Sequence, residues 1–394
     1  MTDYVGREEQ LRRDVEFLAG RLPHRRANTD NERVAAEYLE ERFKEYTIHA
    51  TTDDFHSIDT FAYLLASYYI EFLVVAVVAI WAPWFALFYG VAVFVMYMAE
   101  FTGYRAMSRF LPQFETQNVT ARFLSPNPKR LLVIASHYDS ASDTQWSRPE
   151  RLPWLRAAHY AIVLAMLVVA LTCAVEAGRT SPEAVIHAII ALRWIAVLIL
   201  IGAAATLYIG ENTSEPTRGA NANASGVATL LALAERFSAA PLKTTDVLIV
   251  ATGSKESGLN GMWHLCAQVD VQRQRTYFLN LSCVGTGTLR YITGEGMMSL
   301  FKSSKKLVGL ARGRAEEYQA APLKYRGLPT DALIPLVRGY KTLGIMATGE
   351  DGLPQSADWP EDRAGAIDYG LLNRAADYAE SIIRDLDNED EDEK

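Results

Sequence analysis

Ser136-His137-Tyr138-Asp139-Ser140 follows an apolar run, Leu131 to Ile134, that reads as a buried strand. A His-x-Asp step at the carboxyl end of a strand is one way to hold a catalytic zinc, the imidazole ligating and the carboxylate orienting it from behind. Alone it is weak evidence, because a loop histidine satisfied within its own turn has the same spelling. Three later segments add residues of related chemistry. Gly219-Ala220-Asn221-Ala222-Asn223-Ala224-Ser225-Gly226 leads into a helix, Thr252-Gly253-Ser254-Lys255-Glu256-Ser257-Gly258 follows the strand Val247 to Ala251, and Leu279-Asn280-Leu281-Ser282 ends another strand. Near the end, Leu328-Pro329-Thr330-Asp331 precedes Pro354-Gln355-Ser356-Ala357-Asp358, and no histidine follows His264.

Such residues need elements that bring strand ends together. Glu8 to Leu18 and Asn31 to Tyr46 carry the helical apolar period, the second with Ala35, Ala36, Tyr38, Leu39 and Phe43 on one face. Ile48 to Phe55, Val119 to Leu124, Arg130 to Ser136, Asp246 to Thr252 and Thr276 to Leu281 read as strands, the most apolar suited to a sheet buried on both faces. Ser225 to Phe237, Lys302 to Arg312 and Tyr369 to Leu386 read as helices. The alternation predicts an α/β fold, a three-layer sandwich around a mixed, largely parallel sheet.

The apolar content, 49% of 394 residues, is concentrated in two blocks. Phe61 to Phe101 is broken by Trp81-Ala82-Pro83-Trp84, and Trp154 to Gly210 by Gly178 to Glu183. Each half holds about 17 to 25 residues, enough to cross a hydrocarbon layer of roughly 30 Å. Four transmembrane helices in two hairpins are expected, with Trp81, Trp84, Trp154 and Tyr208 near their ends. The expected division is a single domain in pieces, 1–60, 102–153 and 211–386, interrupted by hairpins at 61–101 and 154–210 and followed by an acidic, solvated tail at 387–394. Each hairpin crosses twice, so the three pieces share one side. Arg105, Arg109, Arg148, Arg151 and Arg156 flank that side, against Arg179 opposite, which places it in the cytoplasm. Within the spans, Glu71 and Arg193 are costly in lipid: they pair or mark a polar path, or Arg193 snorkels and Glu71 sits near an interface.

The polar amino terminus shows no signal segment, and three cysteines offer no disulfide framework, which fits a reducing compartment. The net charge of −8 owes much to the run Asp385 to Lys394. A basic nucleic-acid footprint is absent, so nucleic acid is not an expected partner; the bilayer is, with a membrane protein or a peptide as further candidates.

In the order and placement of its four motifs the chain resembles metallopeptidase family 28, the two-zinc aminopeptidases and carboxypeptidases. The resemblance covers the amino-terminal helices, including Arg25 to Leu39, and the chain from about 115 to 386 outside the second hairpin. It implies that His137 stands at a zinc-ligand position and Asp139 at the position that orients it. It also implies departures. Ala222 stands where the family has the Asp bridging both metals, Lys255 where it has the general base, Ser282 where it has a carboxylate ligand and Gln355 where it has a late His; Glu256 keeps the ligand that follows the base. Each metal position thus retains at most one ligand, whereas zinc needs three or four and two close cations need a bridging carboxylate.

The expected function is a membrane-anchored pseudopeptidase, a scaffold or peptide-binding module with no cofactor, with Lys255 and Asp331 as cleft residues and Lys255 paired to Glu256 or Asp139 in place of metal charge. One alternative is a working hydrolase with a single zinc on His137, Asp139, Glu256 and His264. A serine route through Ser282 or Ser225 lacks a Gly-x-Ser-x-Gly elbow. Another alternative is a transport or assembly subunit that works through its spans.

Overall fold

The structure, a computed structural model, describes residues 2–143, 148, 150–178, 182–268 and 273–389. Strands β1 (Ala50–Ser57), β2 (Phe114–Phe123), β3 (Arg130–His137), β4 (Thr245–Thr252), β5 (Thr276–Leu281), β6 (Thr288–Glu295), β7 (Phe301–Lys302), β8 (Ala321–Tyr325) and β9 (Lys341–Thr348) form one sheet in the order β1-β2-β4-β3-β5-β9-β6-β7, with β8 beside β6. β4, β3, β5 and β9 run parallel, while β1, β2 and β6 are antiparallel to their neighbours on that path.

Alternation along the parallel strands sorts side chains to two helical layers. Leu132 and Ile134 pack with Ile249, Leu279 and Leu343 against α1 (Thr2–Val15), α2 (Asp30–Lys44), α7 (Ser225–Ala239), α9 (Lys305–Arg314) and α11 (Tyr369–Asn388). Val133, Ala135, Val250 and Phe278 pack against α8 (Asn260–Gln268) and α10 (Leu333–Val337). The helices start where the sequence provides acceptors for their first N–H groups: Thr29 caps α2, Ser304 caps α9 and Asp368 caps α11.

Helices α3 (Phe61–Val78), α4 (Pro83–Glu100), α5 (Leu152–Gly178) and α6 (Glu183–Thr213) are long and apolar enough to cross a membrane. Their core holds Phe72, Val75, Met166, Val169, Val197 and Leu200, while Trp81, Trp84, Trp154 and Tyr208 are exposed near the helix ends. β1 enters the first hairpin just after Ser57 and β2 leaves it at Phe114, the residue paired with Ser57. β3 ends at His137 ahead of the second hairpin. Both hairpins therefore leave the sheet at the edge where the parallel strands have their carboxyl ends.

Several expectations are corrected. β2 begins at Phe114 rather than Val119, and Ile48 lies outside β1, 91% exposed. Phe301–Lys302 is a strand, so α9 starts at Lys305 behind its Ser304 cap. The acidic run is not wholly a solvated tail. Asp385 to Asn388 continue α11, and the buried Asp387 carboxylate accepts the N–H groups of Lys243 and Thr244, each at 2.8 Å. Residues 390–394 and Arg179 lie outside the described residues.

Glu71 and Arg193 do not pair with each other. Glu71 accepts the Tyr89 hydroxyl proton, and the buried Arg193 guanidinium pairs with Glu176 and donates to Thr172 Oγ1 at 3.2 Å. Arg193 thus does not snorkel; Glu176, on the neighbouring helix α5, supplies the opposite charge. The three cysteines are free and buried.

Candidate functional site

Parallel strands place the residues that follow them side by side, which is why such sheets collect sites at their carboxyl edge. His137 ends β3, Gly253 to Glu256 follow β4, Ser282 and Cys283 follow β5, and Gly349 to Asp358 follow β9. The turn 220–224, entered through Gly219 at φ +59°, brings Ala222 to the same place ahead of α7. Gly226 allows the approach: a Cβ there would stand 2.3 Å from Ser136 Oγ and 2.7 Å from the Leu281 carbonyl oxygen. Ser254, Cys283 and Asp358 hold positive φ of 54°, 52° and 62°, a left-handed conformation unusual for non-glycine residues.

His137 Nδ1 donates to the Asp139 carbonyl oxygen at 3.0 Å and lies 3.4 Å from Asp139 Oδ1, which leaves Nε2 as the unengaged ring nitrogen. Asp139 Oδ2 in turn accepts the Glu256 N–H at 2.9 Å, tying the two turns together. Lys255 Nζ donates to Glu256 Oε1 at 2.6 Å, and that carboxylate is 4.0 Å from His137 Nδ1. Burial opposes the Lys255 charge, but Glu256, Asp358 and Asp139 outweigh it and hold the ammonium above the usual lysine range. For His137, burial and the Lys255 ammonium pull downward, and Asp139 with Glu256 pulls the imidazole above its ordinary value.

Behind this centre lie acids that sequence reading did not single out. Asp358 is half-buried, its carboxyl pushed up to about 6 by loss of water around it and by the Glu256 charge. Asp362, buried under Ala222 and accepting its N–H at 3.2 Å, is raised to about 7, chiefly by burial. Glu32 accepts from Asn28 N at 2.7 Å, Thr116 Oγ1 at 2.9 Å and Ser254 N at 3.3 Å, and burial beside Asp139 raises it to about 8. A signal for Glu32 was present: it falls three and four residues before Ala35 and Ala36, on the apolar face of α2.

The remaining expected residues divide. Ala222 and Ser282 line a cavity of about 40 Å³ with His137, Lys255 and Asp358, roofed by Tyr325, Leu328, Pro329 and Pro354. Gln355 contributes its carbonyl, which accepts from Asn221 Nδ2 at 2.7 Å, while its side-chain amide lies beside Gly349. Asp331 is buried below the edge and accepts from Thr252 Oγ1. His264 sits elsewhere, stacked on Phe55 and 3.1 Å from Asp53 Oδ2, so it cannot complete a site on His137. Ser225 Oγ donates to the Asn221 carbonyl and accepts from Val284 N, a structural role. A larger cavity of about 460 Å³, lined by Arg148, Arg218 and Arg363 beside Thr213, includes none of the site residues.

The donors do not fit a two-zinc centre. Of the ligand positions only His137 and Glu256 carry ligand atoms, and an ammonium already occupies one Glu256 oxygen. No group of three or more His, Cys, Asp or Glu side chains is placed to hold a metal among the described residues.

Residues 204–383 match the profile of Peptidase family M28. The chain shares its fold with a zinc aminopeptidase from Bacillus subtilis (TM-score 0.58, 13% identity, covering 96% of this chain and 94% of that one) and a Zn-dependent exopeptidase from Parabacteroides distasonis (0.54, 13%, 96% and 97%). It is also similar to the Bacteroides thetaiotaomicron glutaminyl cyclase bound to N-acetylhistamine (0.54, 14%, 97% and 98%). No curated protein sequence matches the chain.

Proposed function

We propose that this chain, which carries the Peptidase family M28 signature over residues 204–383 on the zinc-aminopeptidase fold, is a membrane-anchored pseudopeptidase acting as a scaffold. One observation carries the reading: the Lys255 ammonium, its side chain 11% exposed and 2.6 Å from Glu256 Oε1, supplies positive charge where the family fold would hold metal. With Ala222 and Ser282 opposite it, a water in this cavity has neither a metal ion to acidify it nor a carboxylate at position 255 to take its proton.

The cavity supports the scaffold over the peptide-binding form of the reading. At about 40 Å³ it has room for about three waters at roughly 10–15 Å³ each, not for a chain terminus. The helices α3 to α6 supply the anchor, and the arginines at 105, 109, 148, 151 and 156 favour a cytoplasmic domain.

Elemental mass spectrometry on the detergent-purified chain, after dialysis against zinc, tests the proposal. Retention below about a tenth of an equivalent is expected, because two ligands and a competing ammonium give no tight site. One or two retained equivalents, with turnover of aminoacyl peptides that chelation abolishes, would replace the scaffold with a hydrolase.

A further inference from the structure

After α4 the chain turns through residues 101–113 before entering β2, and this turn is clamped. Glu100 Oε1 accepts the N–H groups of Ala106, Met107 and Ser108 at 2.9, 2.7 and 3.0 Å, and Oε2 accepts from Ser108 Oγ at 3.2 Å. Gln113 closes it from the other end, donating to the Ser108 and Leu111 carbonyls, each at 2.9 Å, and accepting from Arg105 at 2.7 Å. A backbone held in this way cannot fold its rings back into the core. Tyr104 and Phe110 accordingly stand 64% and 75% exposed. The Arg109 guanidinium lies 5.3 Å from the Phe110 ring centre, and Arg105 lies 5.1 Å from that of Trp263. The face is aromatic and cationic, and it begins directly after a helix long and apolar enough to cross a membrane.

We propose that Tyr104 and Phe110, with Arg105 and Arg109, form a docking face for the headgroup layer of an anionic membrane. The inference rests on the reading of α3 to α6 as spans, and it adds that the domain lies on the bilayer instead of hanging from it. Aromatic rings with a wet edge favour the interface, and the planar guanidinium fork matches phosphate oxygens. The face is continuous with the helices, because Phe114 pairs with Ser57 at the edge where both hairpins leave the sheet. Ile48 is exposed and apolar too, yet it precedes the opposite end of β1, the length of that strand away from the membrane edge. Exposure alone thus does not define the face; position and the adjoining arginines do.

The test places one spin label at a time on the full chain, at Phe110→Cys, Ile48→Cys or Val74→Cys, in nanodiscs of phosphatidylcholine with phosphatidylglycerol. The native cysteines are buried. Val74 is exposed on α3 and reports whether that helix is in the bilayer. The expected oxygen-to-nickel accessibility ratio at 110 is several-fold above that at 48 and approaches that at 74. A ratio at 110 equal to that at 48, with 74 oxygen-rich, overturns the docking face and leaves the spans standing. A nickel-rich label at 74 overturns the reading of the spans, and the docking face with it. In phosphatidylcholine alone the ratio at 110 is expected to fall; an unchanged ratio removes the arginines from the proposal.

Discussion

Lys255 and Arg193 are two little-exposed cations that meet carboxylates, and their settings differ. Lys255 stands at the sheet edge among Glu256, Asp139 and Asp358, with Asp362 and Glu32 behind. Arg193 stands between α5 and α6 with one carboxylate, Glu176, and one hydroxyl, Thr172, in an otherwise apolar bundle. The second is a self-contained pair, in which each charge has its partner. The first has several acids at close range, and burial, with repulsion between neighbouring acids added to it, raises the carboxyls of Asp358, Asp362 and Glu32 to about 6, 7 and 8. The cations facing these acids are the Lys255 ammonium and, toward Asp362 and Asp139, the fully buried Arg25 guanidinium.

The comparison is broken most directly at Lys255. Lys255→Ala removes the only ammonium in the centre and leaves Glu256, Asp139 and Asp358 facing one another. The expected loss is about 3–5 kcal/mol, the range for breaking a buried charge pair from one side. Denaturant unfolding in detergent measures it, and Lys255→Met separates charge from volume: an equal loss assigns the effect to charge. A loss under about 1 kcal/mol would put Lys255 in the class of exposed pairs and end its role as a substitute cation.

Glu295 sharpens the contrast, since it is a buried acid with no cation of its own. It accepts from Thr330 N at 2.7 Å and Thr330 Oγ1 at 2.9 Å, yet burial raises it to about 7. A carboxyl raised on folding binds its proton more tightly in the native state than in the unfolded chain. Its contribution is therefore complete below the unfolded value of about 4.5 and is lost as pH rises to about 7. Glu295→Gln cannot ionise and keeps an acceptor for Thr330. The fall in stability between pH 4.5 and 7.5 should shrink by on the order of 2–3 kcal/mol, and an unchanged fall would mean that Glu295 is already ionised in the native state.

Arg193 offers the smaller charge effect. Its loss leaves a single carboxylate, Glu176, which can take a proton, whereas the loss of Lys255 leaves Glu256, Asp139 and Asp358 facing one another. Arg193→Met is expected to cost about 1–3 kcal/mol in detergent, and Arg193→Met with Glu176→Gln to recover most of it, as buried pairs replaced on both sides often do. A single variant as costly as Lys255→Ala would erase the distinction between the two settings.

How much of this was legible depends on the kind of signal. The four long apolar helices were plain from their composition, and β3, β4 and β5 because strands buried on both faces are continuously apolar. β6 and β8 were not, since Thr288, Arg290 and Lys324 interrupt any run and their pairing is set by distant partners. At the site, positions known from motif order were found, but Asp358 and Glu32 take their importance from which strand ends and helix faces meet. Partner choice within the bundle was equally hidden: Glu176 lies near a helix end, where an acid needs no partner by sequence alone, and only packing brings it to Arg193.

The smallest expected effect concerns Glu71, which has no cation at all. Its carboxylate accepts from Tyr89 on the neighbouring helix of the same hairpin, and both side chains are only partly buried. The bond is charge-assisted, but water can replace it from the open side, so Tyr89→Phe should cost about 0.5–1.5 kcal/mol in thermal unfolding in detergent. Moving the variant into nanodiscs distinguishes the two kinds of polar inclusion. If Glu71 faces lipid, the loss grows, because no water remains to take the hydroxyl's place; if it stays at the same small value, Glu71 is wet and lies near the headgroups.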